Sequence, residues 1–66
     1  MRGLRVIHEL YGDVYMETDA ELVKLKLDAS GNIQWETIAL AGTDLWLRRL
    51  RDIRSHPDTH TSLEAN

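Results

Sequence analysis

Sixty-six residues without a cysteine confine this chain to one small domain that has neither a disulfide nor a thiolate metal site to staple it. A chain of this size buries only about 60% of the surface its unfolded form exposes, which leaves an efficient core or self-association, as in a homodimer, to supply stability. The net charge of −3 disfavours indiscriminate binding along a phosphate backbone, although residues 43–56 hold four arginines against two acids.

The opening stretch, MRGLRVIHELYG, has His8 and Glu9 where a secretory leader would be apolar, and it holds no membrane-length apolar run. A cytoplasmic protein with no membrane partner is the expectation. LRVIHELY, from Leu4 to Tyr11, is rich in strand formers and stops at Gly12-Asp13, a pair suited to a two-residue hairpin turn. VYMET, from Val14 to Thr18, is the return strand. This register sets Leu10 opposite Tyr15, His8 opposite Glu17 and Tyr11 opposite Val14, and neither face is cleanly apolar.

Asp19, Ala20 and Glu21 read as a short polar connection. LVKLKLD, from Leu22 to Asp28, then alternates strongly, DASGN supplies a tight turn, and IQWETIAL returns from Ile33 to Leu40. With Gly31 in the left-handed position of a three-residue loop, Leu27 faces Ile33, Leu25 faces Trp35 and Val23 faces Thr37, all on one side. The other side carries Lys26 opposite Gln34 and Lys24 opposite Glu36, a predicted cross-strand ion pair. Leu22, Ile38 and Leu40 share the parity of the lysines, so a helix, a bulge or a second subunit must cover that end.

Ala41-Gly42 breaks the strand, and Thr43 or Asp44 is suited to cap a helix that runs to about Ser55, ahead of Pro57. The predicted architecture is α+β, a four-stranded antiparallel β-meander followed by one C-terminal amphipathic helix (ββββα). Residues 1–56 form the domain and residues 57–66 a flexible or extended tail.

The helical stretch, LWLRRLRDIRSH, carries the one marked concentration of charge. At 100° per residue from Asp44, the residues Ile53, Trp46, Leu50 and Leu47 fall between about 180° and 300°, a stripe to bury. Arg49, Arg48, Arg51 and Arg54 fall near 140°, 40°, 340° and 280°, a dispersed rim where a recognition helix would concentrate its contacts. Asp44 stands four residues before Arg48, and Asp52 is within reach of Arg48 or His56, which offers local partners. Arg54 lies at the margin of the apolar stripe, where it must snorkel to solvent, pair with a sheet carboxylate or protrude into a partner; snorkelling is the expected outcome.

Other constellations point weakly to chemistry. His8 opposite Glu17 is a surface pair without the nucleophile, oxyanion donor and cleft that catalysis requires. His56, Asp58 and His60 straddle Pro57 and lack further ligands, so no metal is expected. Glu17, Asp19 and Glu21 form a local acidic series without calcium-loop spacing, and in DASGN the glycine comes too early for such a loop. Four isolated glycines make no phosphate or dinucleotide loop, and no cofactor is implied.

The functional expectation is a small non-catalytic protein-binding module, a regulator or inhibitor of a larger assembly. Arg49, Arg51 and Arg54 would meet an acidic partner surface, and Glu17, Asp19 and Glu21 a basic one. The alternative is a nucleic-acid-binding dimer using Arg48, Arg49, Arg51 and Arg54.

Overall fold

Each strand of the computed structural model, which describes residues 4–65, pairs antiparallel with its neighbours. Strands β1 (Leu4–Leu10), β2 (Asp13–Glu17), β3 (Glu21–Leu27) and β4 (Ile33–Leu40) form the meander, and helix α1 (Asp44–Ser55) follows it. A fifth strand, β5 (His60–Ala65), comes after the helix, and the sheet order is β4-β3-β2-β1-β5. The architecture is α+β as expected, but with five strands in place of four. HTSLEA has a single large apolar residue, Leu63, and so no apolar alternation to mark it as a strand; in the fold Leu63 remains 68% exposed. The backbone ladder to β1, from Leu4↔Ala65 to Glu9↔His60, makes it a strand.

The turn after α1 delivers β5 to that edge. Pro57 does lie just beyond the helix, whose last carbonyls are taken over locally: Thr59 Oγ1 donates to the Ile53 carbonyl at 2.6 Å and the Thr59 N–H to that of His56 at 3.1 Å. Across the sheet, the Tyr11 hydroxyl donates to Asp58 Oδ2 at 2.6 Å. The Tyr11 and His56 rings meet edge to face, 5.2 Å apart.

Tyr11 reaches Asp58 because the first hairpin turns one residue earlier than expected. Tyr11 and Gly12 both have positive φ, 51° and 81°, the geometry of a type I′ turn. Leu10 therefore pairs with Asp13, His8 with Tyr15 and Val6 with Glu17. Each partner moves by two residues from the predicted register, and a two-residue shift keeps every side chain on its face.

The second hairpin has the predicted register, with Leu27↔Ile33, Leu25↔Trp35 and Val23↔Thr37. Gly31 takes φ 83°, and Asp28 Oδ1 accepts the N–H groups of Ser30 and Asn32, each at 2.8 Å. The Asn32 N–H leads the contacts that hold the Asp28 carboxyl below its ordinary range. The expected Lys24 to Glu36 ion pair is replaced by a diagonal one: Lys26 Nζ lies 3.2 Å from Glu36, and Lys24 turns toward Asp13 at 3.8 Å. Such exposed pairs contribute under about 1 kcal/mol each.

Where the apolar parity changes, the structure uses a bulge and the helix together. The register slips between Leu22↔Ala39 and Val23↔Thr37, leaving Ile38 as the extra residue. Leu22 is fully buried against Leu50 and Ile53, with Tyr15 and Trp46 packed around them. Gly42 makes the turn at φ 84°, and Thr43 Oγ1 accepts the Trp46 N–H at 3.2 Å as the N-cap. Of the predicted stripe, Leu50 and Ile53 are buried and Trp46 is half-buried, but Leu47 is 56% exposed.

α1 thus covers the sheet face that bears His8, Tyr15, Glu17 and Leu22. The face with the more regular apolar alternation, bearing Leu25, Leu27, Ile33 and Trp35, faces away from it.

The Tyr11 to Asp58 bond makes a titration prediction. Asp58, with a smaller contribution from desolvation, raises the Tyr11 phenol above its ordinary value of 10.0. Because the folded value is raised, the stabilisation is complete below pH 10 and is lost as pH rises through the folded value. Ultraviolet titration of phenolate should show one tyrosine ionising late, and Asp58→Asn should bring it back toward 10. An unchanged titration curve in that variant would show that β5 docks without this anchor.

Candidate functional site

The interior under α1 contains a polar chain where an apolar core would be expected. His8 is 1% exposed and Glu17 8%, on adjacent strands. Their Cα positions are offset, yet the side chains meet diagonally, His8 Nε2 to Glu17 Oε2 at 2.9 Å. The sequence expectation of a His8 and Glu17 contact is therefore met by a different register, and the pair is buried, not on the surface. On the other side of the ring, His8 Nδ1 lies 2.9 Å from Thr61 Oγ1 on β5.

The second carboxylate oxygen of Glu17 accepts from Arg54 Nη2 in the last turn of α1. Arg54 therefore pairs with a sheet carboxylate instead of merely snorkelling, while 56% of its side chain stays exposed. An ionised carboxylate only accepts, so His8 Nε2 carries the proton in this contact. In the neutral imidazole, Nδ1 then accepts the Thr61 hydroxyl proton; in the imidazolium, Nδ1–H donates to the hydroxyl oxygen. The chain Thr61, His8, Glu17, Arg54 joins β5, β1, β2 and α1, and each carboxylate oxygen has a partner, as a buried carboxylate requires. The indole Nε1 of Trp46 nearby is the only buried side-chain polar atom lacking a partner among the described residues.

Outside this interior, the arginines divide between two flanks of α1. Asp44, Leu47, Arg48, Arg51, Arg54 and Ser55 follow one another at helical spacing along a groove of about 680 Å³, and Trp46 and Leu50 also line it. Three of the four arginines share this flank, a closer grouping than the predicted dispersed rim. Arg49 lies on the opposite flank, beside Asp52, Tyr15, Lys24 and Glu36. No ion pair engages Arg48, Arg49 or Arg51 among the described residues, and the expected Asp44 to Arg48 pair is not formed.

The acidic series does not share one surface. Glu17 is turned inward to His8 and Arg54, Asp19 is exposed in the connection, and Glu21 accepts from the Thr37 hydroxyl on the far face of the sheet. Among the described residues, no group of three or more histidine and carboxylate side chains is placed to hold a metal ion. His56 and Asp58 instead bind Tyr11 and cap the turn, with the Asp58 N–H donating to His56 Nδ1 at 3.2 Å. No described helix is long and apolar enough to cross a membrane.

The buried chain predicts unequal costs for its members. Glu17→Ala strands a buried His8 donor as well as Arg54 and should cost about 2–3 kcal/mol. Arg54→Ala should cost less, about 1–2 kcal/mol, because its own side chain is largely in water and screened although one buried Glu17 oxygen loses its partner. Urea unfolding of both single variants and the double variant should show a coupling of at least about 0.5 kcal/mol. Equal costs with no coupling would mean that Glu17 and Arg54 do not act on one another.

No protein-family model, curated protein or solved structure matches this chain, so its chemistry has to be read from its own residues.

Proposed function

We propose that this chain is a small non-catalytic protein-binding module, working in the cytoplasm as a regulator or inhibitor of a larger assembly, and that the Leu47 flank of α1 is its binding edge. The observation that supports this most is Leu47 itself. It is 56% exposed on a groove that also presents Arg48 and Arg51, with Trp46 and Leu50 beneath. An apolar residue framed by arginines matches a protein segment that carries one large apolar side chain between acidic residues. Of the arginines expected to meet an acidic partner, Arg51 lies on this edge, Arg54 borders it while held by Glu17, and Arg49 lies on the other flank.

Nucleic-acid binding is the less favoured reading. Its four arginines do not lie together, Arg54 is already neutralised by Glu17, and the groove has an apolar floor where a phosphate backbone needs charge.

Selection from a displayed peptide library should enrich sequences with acids flanking a large apolar residue. Those peptides should bind the double variant Arg48→Glu/Arg51→Glu, and separately Leu47→Ala, at least about tenfold more weakly. Peptides that bind the variants as well as the parent would contradict the assignment. So would low-salt binding of duplex or single-stranded oligonucleotides that weakens steeply as salt is added.

A further inference from the structure

The sheet face turned away from α1 is apolar and open. Cross-strand pairing places Met16 between Ile7 and Val23, sets Leu25 beside Trp35, and ends in the pair Leu27 and Ile33. Of these, only Val23 is buried; Trp35 is 43% exposed, and Leu27 and Ile33 are each 65% exposed.

We propose that this face is closed by the same face of a second copy of the chain, in a two-fold dimer that stacks sheet on sheet. The first support is the composition of the core. Among the described residues the buried apolar ones are Leu22, Val23, Ala39, Leu50 and Ile53, and all but Val23 lie on the helix side, so each chain carries half of a two-sided core. A small domain without staples gains most by burying such a face against its equivalent.

The second support is charge. Over β2, β3 and β4 the face carries no charged side chain except Glu21, which is held by Thr37 at its end. A partner with a charged surface would find nothing to pair with, whereas an identical neutral face leaves no charge stranded. Arg5, Glu9, His60 and Glu64 lie beyond this patch, on β1 and β5.

The third support is size and shape. The three strands β2, β3 and β4, about 4.8 Å apart and roughly six residues long at about 3.3 Å each, make a face of on the order of 15 by 20 Å. Its side chains expose on the order of 600 Å², the lower end of what a specific interface takes from each partner. A two-fold axis along β3, midway between sheets about 10 Å apart, lays β4 of one copy over β2 of the other. Trp35 then meets the smaller Val14, large against small, and both α1 grooves remain on the outside. The dimer goes beyond the binding role assigned to those grooves, and either stands without the other.

Sedimentation or light scattering of the full chain, from about 1 μM to about 1 mM, tests the proposal. The mass should rise from the 7.6 kDa of one chain toward twice that value. Ile33→Glu and Trp35→Glu should weaken the dimer at least about tenfold, while Leu63→Glu, with the same charge change on the other face, should leave it intact. Ile33 is 65% exposed, so its variant retains the monomer fold, checked by its helical circular dichroism. A mass of 7.6 kDa at every concentration would overturn the proposal. A dimer that Ile33→Glu leaves as tight as the parent, or that Leu63→Glu disrupts equally, would also overturn it.

Discussion

Glu17 accepts from His8 with one carboxylate oxygen and from Arg54 with the other, and this one buried group ties α1, and through His8 also β5, to the middle of the sheet. A carboxylate buried to 8% exposure must have partners for both oxygens. One partner ties the last turn of the helix to β2 through the Arg54 side chain. The other brings an imidazole whose far nitrogen meets Thr61, on the strand added after the helix. The apolar contacts among Leu22, Leu50 and Ile53 supply the favourable burial, but they are few and specify direction poorly. The polar chain is directional, and it links the C-terminal end of α1 to β2.

A consequence is a sheet with two unlike faces. The helix takes the face where polar and apolar residues mix, because that face has the carboxylate to receive Arg54 and the bulge that brings Leu22 under Leu50. The cleaner apolar face is left for something else. The helix also lies over β4, β3 and β1 at an angle that leaves Leu47 in water beside Arg48 and Arg51. Both candidate surfaces, the groove and the open sheet face, follow from this one placement.

The second hairpin was legible in the sequence because two independent signals agree: the alternation in LVKLKL and the DASGN turn with glycine at its left-handed position. The first hairpin was legible only up to its register. Sequence rules favour Gly12 for the first positive φ, but Tyr11 takes it and is held there by Asp58, forty-seven residues away. β5 was not legible at all, since its ladder is made by backbone groups and its side chains show no apolar pattern. Of the buried chain, His8 with Glu17 and the anomalous position of Arg54 could each be seen, but not that both converge on one carboxylate. That convergence depends on which face the helix covers, and the parity of Leu22 and Ile38 pointed to that face only as one of three outcomes, a helix, a bulge or a second subunit.

The most direct test of the polar chain is nuclear magnetic resonance of the His8 side chain in uniformly ¹⁵N- and ¹³C-labelled protein. The ring should hold a single orientation, with through-space contacts from the imidazole to Thr61 and Glu17, and the Arg54 Nη protons should be slowed in exchange relative to those of Arg48. A His8 ring that averages between orientations and shows contacts to neither residue, as a surface histidine would, contradicts this arrangement.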